Sequence, residues 1–95
     1  MRVAICDDEK AMHITIEKLL CEYKNIRNID IFIDKFENGY DLLKSERDYE
    51  IIFMDYQMDG LDGIETARKL RDRNNECCVI FISALIMSSM ISFFI

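Results

Sequence analysis

Two rhythms of apolar residues run along this chain. Arg2-Val3-Ala4-Ile5-Cys6 is a short apolar run that stops at Asp7-Asp8, and it predicts a buried strand. From residue 9 to 23 the apolar positions are Met12, Ile16, Leu19, Leu20 and Tyr23. That is helical spacing with one buried face, and Asp8 is the expected N-cap. Residues 25–28 are polar and predict a loop. Ile29, Ile31 and Ile33 then alternate with Asp30, Phe32 and Asp34, which predicts a half-exposed strand ending near Phe36. Asn38-Gly39 punctuates the chain, and a short helix is expected over 39–45, burying Tyr40, Leu42 and Leu43. Residues 50–54 form a third, strongly apolar strand that stops at Asp55. After a loop over 56–61, Asp62 caps a helix that reaches Arg73, with Ile64, Ala67 and Leu70 on its inner face. Residues 79–82 give a fourth strand, ending at Ser83.

The order βαβαβαβ with short links implies a parallel sheet with helices on both faces. The expected fold class is α/β: a doubly wound parallel sheet in flavodoxin-like 2-1-3-4 order, with the fifth strand missing. Three strands reach the same edge at a polar residue: Asp7-Asp8, Asp55 and Ser83. Open α/β sheets bind ligands at the carboxyl edge, where strand order reverses. If strands one and three are neighbours there, Asp7, Asp8 and Asp55 share one crevice. Their repulsion calls for a cation, and oxygen-only ligands favour Mg2+. Such a site suits phosphoryl transfer to a carboxylate. A hydroxyl such as that of Ser83 can donate a hydrogen bond to phosphoryl oxygens.

Charge narrows the function classes. The net charge is −6, from 12 basic and 18 acidic residues, with no basic cluster, which argues against direct nucleic-acid binding. The N-terminus reaches acidic residues too soon for a secretory signal, so a cytoplasmic, reducing setting is expected and the four cysteines are expected to be thiols. There is no Cys-x-x-Cys pair, and His13 has no metal-ligand spacing to a cysteine, which disfavours zinc. His13 is expected at the surface, Cys6 and Cys21 in the core, and Cys77-Cys78 at the start of a strand. Residues 77–95 carry no charge. That stretch is long enough for a membrane helix, but residues 79–83 read better as a strand. The remaining 85–95 segment is too short to span a bilayer. It is expected to be a helical, apolar tail over the sheet.

Four segments carry a resemblance: Ile5-Cys6-Asp7-Asp8-Glu9, Ile52-Phe53-Met54-Asp55-Tyr56-Gln57-Met58, Gly60-Leu61-Asp62-Gly63-Ile64-Glu65 and Ile80-Phe81-Ile82-Ser83-Ala84. In order and spacing over residues 2–84 the chain resembles the receiver domain of two-component response regulators. The Cys-Asp-Asp-Glu opening and the Asp-Gly-Ile-Glu-Thr-Ala run are most similar to receivers of the LytTR class. The resemblance implies that Asp55 is the phosphoacceptor, charged by a sensor histidine kinase. It implies that Asp7 and Asp8 are the acidic pair that holds Mg2+, Asp8 more directly, with Asp55 and the Gln57 backbone carbonyl completing the metal site. Ser83 matches the switch hydroxyl, Ala84 the small residue beside it, and Asp62-Gly63 the loop-to-helix turn.

Two departures from the family stand out. Asp59 occupies a usual proline position, and no lysine follows Lys69, so the family's phosphoryl-pairing lysine and its aromatic switch residue have no counterpart. The expected layout is an incomplete receiver over 1–84, truncated or frameshifted, followed by the 85–95 tail. Self-association through the exposed edge at 79–95 is expected. The main reading is a phosphoacceptor switch rather than an enzyme. The alternatives are an inactive receiver remnant and a Mg2+-dependent phosphatase with an aspartyl nucleophile, of the haloacid dehalogenase type. The phosphatase would want an aspartate at Gln57.

Overall fold

In the computed structural model, described for residues 1–45, 47–56, 58, 62–73, 76–82 and 93–94, the apolar runs pair as strands and the amphipathic repeats become the helices between them. The order is β1 (Arg2–Cys6), α1 (Lys10–Arg27), β2 (Phe32–Phe36), α2 (Gly39–Lys44), β3 (Ile51–Asp55), α3 (Gly63–Arg73), β4 (Cys78–Ile82) and β5 (Phe93–Phe94). The strands lie in the order β2-β1-β3-β4-β5. The first four are parallel, with Cys6 opposite Phe36 on one side and Met54 on the other. This is the expected doubly wound, flavodoxin-like 2-1-3-4 arrangement.

The expected open edge is not found at β4. A two-residue β5 runs antiparallel to it, pairing Phe94 with Ile80 and Phe93 with Phe81. Residues 93–94, in the segment expected to be helical, form this strand, while residues 83–92 and 95 lie outside the described residues.

Alternation along the strands divides the core between two faces. Ala4, Cys6, Ile52, Met54, Val79 and Phe81 pack with Leu42, Ala67 and Leu70 from α2 and α3. Ile5 packs with Met12 and Ile16 of α1, and Phe53, Ile33 and Ile82 border that cluster, only partly buried. Burying an Ile or Leu side chain stabilises by roughly 1.5–3 kcal/mol, so β1, enclosed on both faces, contributes heavily.

Several local expectations fail for identifiable reasons. Helix α1 continues through 25–27, because no Gly or Pro stops it there. It ends at Asn28 in the left-handed region (φ 54°, ψ 49°), whose N–H donates to the Lys24 carbonyl. Lys24 and Arg27 sit in the last turn, complementing the helix dipole. The N-cap is Glu9 rather than Asp8, without a side-chain cap bond. Leu19, Cys21 and Tyr23 are exposed, and in this half of α1 it is Leu20 that packs against the Ile5 cluster. Tyr40 is also exposed, leaving Leu42 to anchor α2, with Leu43 partly buried beside it.

Helices α2 and α3 meet at Gly39. A Cβ on Gly39 would run into Oγ1 of Thr66, which is fully buried and donates to the Asp62 carbonyl at 2.8 Å. Gly39→Ala is expected to destabilise the fold by about 1–3 kcal/mol through overpacking. Urea unfolding checks this. In a Thr66→Ala background the added methyl should be better tolerated, giving clear non-additivity in a double-mutant cycle.

Candidate functional site

Parallel pairing of β1 with β3 decides where the acidic residues meet. Asp7 follows the last residue of β1, Asp55 ends β3, and the register sets Cys6 opposite Met54. One carboxylate oxygen from each of Asp7, Asp8 and Asp55 lies within 4.8 Å of the other two. Asp7 is 2% exposed, Asp55 half-buried and Asp8 exposed.

Asp7 is held at three points. Its N–H donates to the Phe36 carbonyl at 3.0 Å, extending the β1–β2 ladder by one bond. Its Oδ1 accepts from the Glu9 N–H at 2.8 Å. Its carbonyl oxygen lies 2.8 Å from His13 Nε2. A carbonyl oxygen carries no proton, so Nε2–H is the donor. Beyond Asp55, the Tyr56 N–H donates to the Ile82 carbonyl at 3.0 Å, which ties the end of β3 to β4.

Helix α3 approaches the same edge. A Cβ at Gly63 would run into the Asp55 carbonyl, so only glycine lets the helix begin this close to the end of β3. Asp62 caps the helix, its Oδ1 accepting from the Glu65 N–H at 2.8 Å.

The electrostatics follow from burial and like charge. Burial pushes the Asp7 carboxyl up to about 6, and the charges of Asp8 and Glu9 add to the rise. The Glu9 N–H and a hydrogen bond with Asp55 oppose it. Two carboxyls can hydrogen-bond each other only with a proton between them. A cation can take that proton's place, and an all-oxygen donor set of this charge suits Mg2+. Cys6 is pushed up to about 12, first by burial and then by Asp7 and Asp55. It stays a thiol, 3.7 Å from the Met58 sulfur.

The expected site residues Asp7, Asp8 and Asp55 are thus brought together, and Asp62 and Gly63 form the expected loop-to-helix turn. Ser83, Ala84, Gln57 and Asp59 lie outside the described residues. His13, expected at the surface, is 8% exposed and belongs to the site's frame. The signal was in its spacing: His13, Ile16 and Leu20 stand at i, i+3 and i+7, on the flank of the buried stripe.

A family model of the response regulator receiver domain matches residues 3–95. The chain belongs to the response regulator receiver domain family. Hybrid signal transduction histidine kinase E of Dictyostelium discoideum is 38% identical over 94 residues, covering 94% of this chain and 5% of that protein. Sensory transduction protein LytT of Oceanobacillus iheyensis is 31% identical over 88 residues, covering 88% of this chain and 34% of that protein. The chain therefore spans only about a third of LytT and a small part of the kinase.

Two of the many similar solved structures are response-regulator complexes. One is the response regulator TrrA of Thermotoga maritima in complex with Mg2+-BeF, with TM-score 0.75 and 25% identity over 94% of this chain and 76% of that one. The other is histidine kinase ThkA in complex with response regulator TrrA, with TM-score 0.72 and 27% identity over 87% of this chain and 68% of that one. The receiver assignment makes this chain part of a two-component signalling system. Among the described residues no helix is long and apolar enough to cross a membrane.

The raised Asp7 carboxyl has a stability consequence in metal-free protein. The folded state binds its proton more tightly than the unfolded state does, so this group's contribution to stability is largest at low pH. It is lost as pH rises from about 3.8 to about 6, and is flat above. Asp7→Asn retains the Oδ1 acceptor and removes the charge. In the presence of a chelator it is expected to raise stability at pH 7 by about 1–3 kcal/mol and to flatten the slope between those values. Urea unfolding at several pH values reads both effects.

Proposed function

We propose that this receiver takes a phosphoryl group on Asp55, with Mg2+ held chiefly by Asp8 and Asp55. The observation that carries the reading is the convergence of the Asp7, Asp8 and Asp55 oxygens at the carboxyl ends of β1 and β3. Asp55 is half-buried at the end of a rigid strand, which suits a nucleophile reached from solvent by a partner's phosphoryl group. Its carboxylate oxygen attacks phosphorus, the bond from phosphorus to the donor breaks, and an acyl phosphate forms. With a phosphohistidine donor, the imidazole nitrogen is the leaving group.

Asp7 supplies charge from behind, fixed by its backbone bonds. In this reading the Gln57 carbonyl completes the metal shell and the Ser83 hydroxyl donates to the phosphoryl oxygens. Mg2+, when bound, neutralises charge on the transferring group.

The natural donor is a sensor histidine kinase, a reading supported by the similarity to TrrA in its complex with ThkA. The LytT relative supports a LytTR-type regulator as the setting, and the compartment is cytoplasmic. Residues 1–84 carry the phosphate chemistry, and the uncharged 85–95 segment is the site of self-association. The chain acts as a switch rather than as a turnover enzyme.

Incubation with a small-molecule phosphodonor and Mg2+, followed by mapping of the modified residue, tests the assignment. Label is expected on Asp55 and should vanish in Asp55→Ala. Label persisting in that variant would sink the proposal. Asp8→Asn removes a metal-facing charge while keeping the side chain's size, and should weaken Mg2+ binding about 10-fold or more by calorimetric titration. Equal affinity in the variant and the parent would contradict the metal assignment.

A further inference from the structure

We infer that His13 is a positioning residue for the metal-facing acidic pair, acting through the peptide unit between Asp7 and Asp8. The inference rests on the proposed Mg2+ site and names a component that the acidic cluster alone does not reveal. The bond from His13 Nε2–H to the Asp7 carbonyl is 2.8 Å long and buried. That carbonyl belongs to the peptide leading into Asp8, so its orientation sets the direction in which the Asp8 side chain leaves the backbone. The flanking atoms are already fixed. The Asp7 N–H is tied to Phe36 on β2, and the Glu9 N–H is tied to Asp7 Oδ1. Rotation of the 7–8 peptide is the freedom left between those two anchors, and His13 removes it.

The histidine is itself immobile. It sits on α1 between Met12 and Ile16, which are buried against Ile5 of β1. Sheet, helix and acidic loop therefore close a ring: β1 leads into Asp7, Asp7 leads into α1, and α1 returns through His13 to Asp7. The set of the 7–8 peptide decides how the Asp8 carboxylate is presented beside Asp55, and ordering a ligand only when the ion arrives lowers affinity. Pre-ordering by His13 avoids that loss. Partners that orient metal ligands commonly matter 10- to 100-fold in affinity.

The role requires a hydrogen-bond donor at the Nε2 position and makes no demand on a charge. His13→Gln can place an amide N–H close to that position, whereas His13→Leu fills similar space with no donor. By calorimetric titration, Leu should weaken Mg2+ binding about 10-fold, with Gln recovering most of the loss. Urea unfolding of both variants establishes that each is folded. Equal Mg2+ affinity in folded His13→Leu and the parent would overturn the inference, as would an equal loss in both variants.

A measurement on the unaltered protein stands apart from variant folding. Ring nitrogen chemical shifts should report a proton on Nε2, slow to exchange. A ring protonated only at Nδ1 would overturn the inference. The phosphoacceptor reading fails separately: label persisting in Asp55→Ala, alongside the expected His13 pattern, would remove Asp55 from its role and leave the positioning role supported.

Discussion

Like charge gathered at one sheet edge is the constraint on which this structure turns. A parallel sheet sends every carboxyl end the same way, and pairing of β1 with β3 sets Asp7 and Asp8 beside Asp55. With one oxygen of each carboxylate within 4.8 Å of the others, an ionised pair repels by about 3–4 kcal/mol or more at an effective dielectric constant of about 20, and less where solvent screens the exposed Asp8. A domain of this size has about 5–15 kcal/mol of net stability. Three charges with nothing between them would consume much of it. Below about pH 6 a proton on Asp7 relieves the repulsion, since burial favours the neutral form; at neutral pH that relief is largely gone and a cation has to supply it. Phosphoryl chemistry needs that second state, with the carboxylates ionised around a cation. The same geometry thus makes the empty site a strain on the fold and the filled site an asset.

Holding those charges together demands that the neighbouring elements come close, and two missing side chains allow it. At Gly63 the absent Cβ lets α3 begin against the Asp55 carbonyl, and at Gly39 it lets α2 rest on Thr66. Thr66 in turn donates to the carbonyl of Asp62, the residue that caps α3. Asp55, α3 and α2 therefore form one packed series. A displacement at the end of β3 meets hard contact at each step, and closely packed interiors transmit such shifts rather than absorb them.

The 2-1-3-4 strand order, helices α1 to α3 and the acidic cluster were legible in the sequence because they rest on period and on strand ends. Apolar runs that stop at Asp7 and Asp55 mark both a strand and its functional edge, and the Asp62-Gly63 turn follows from capping chemistry. What escaped depends on tertiary contact. Residues 25–27, polar apart from Ile26, read as a loop, yet nothing in them breaks a helix, and α1 runs on until Asn28 takes the left-handed turn. Tyr40 reads as buried, but Leu42, with Leu43 partly buried beside it, fills the space under α2. His13 reads as a surface residue because histidine is polar, while its phase with Ile16 and Leu20 pointed inward. The antiparallel β5 pairing had no local signal at all, since two phenylalanines in an uncharged segment fit helix or strand equally.

With Asp55 as the proposed phosphoacceptor, the same field also sets Cys6 apart from it. The site holds two kinds of nucleophile within a residue of each other, a thiol at the end of β1 and a carboxylate at the end of β3. Thiols react as thiolates. With the Cys6 thiol pushed up to about 12, only about one molecule in 100,000 carries a thiolate at pH 7. Burial is the main cause, and the charges of Asp7 and Asp55 add to it. Those charges bear on the two groups in opposite ways. They keep the sulfur protonated and attract the cation that an incoming phosphoryl group requires. Cys6 can therefore lie in the core beneath the acidic edge, packed on Met58, without competing with Asp55 for an electrophile.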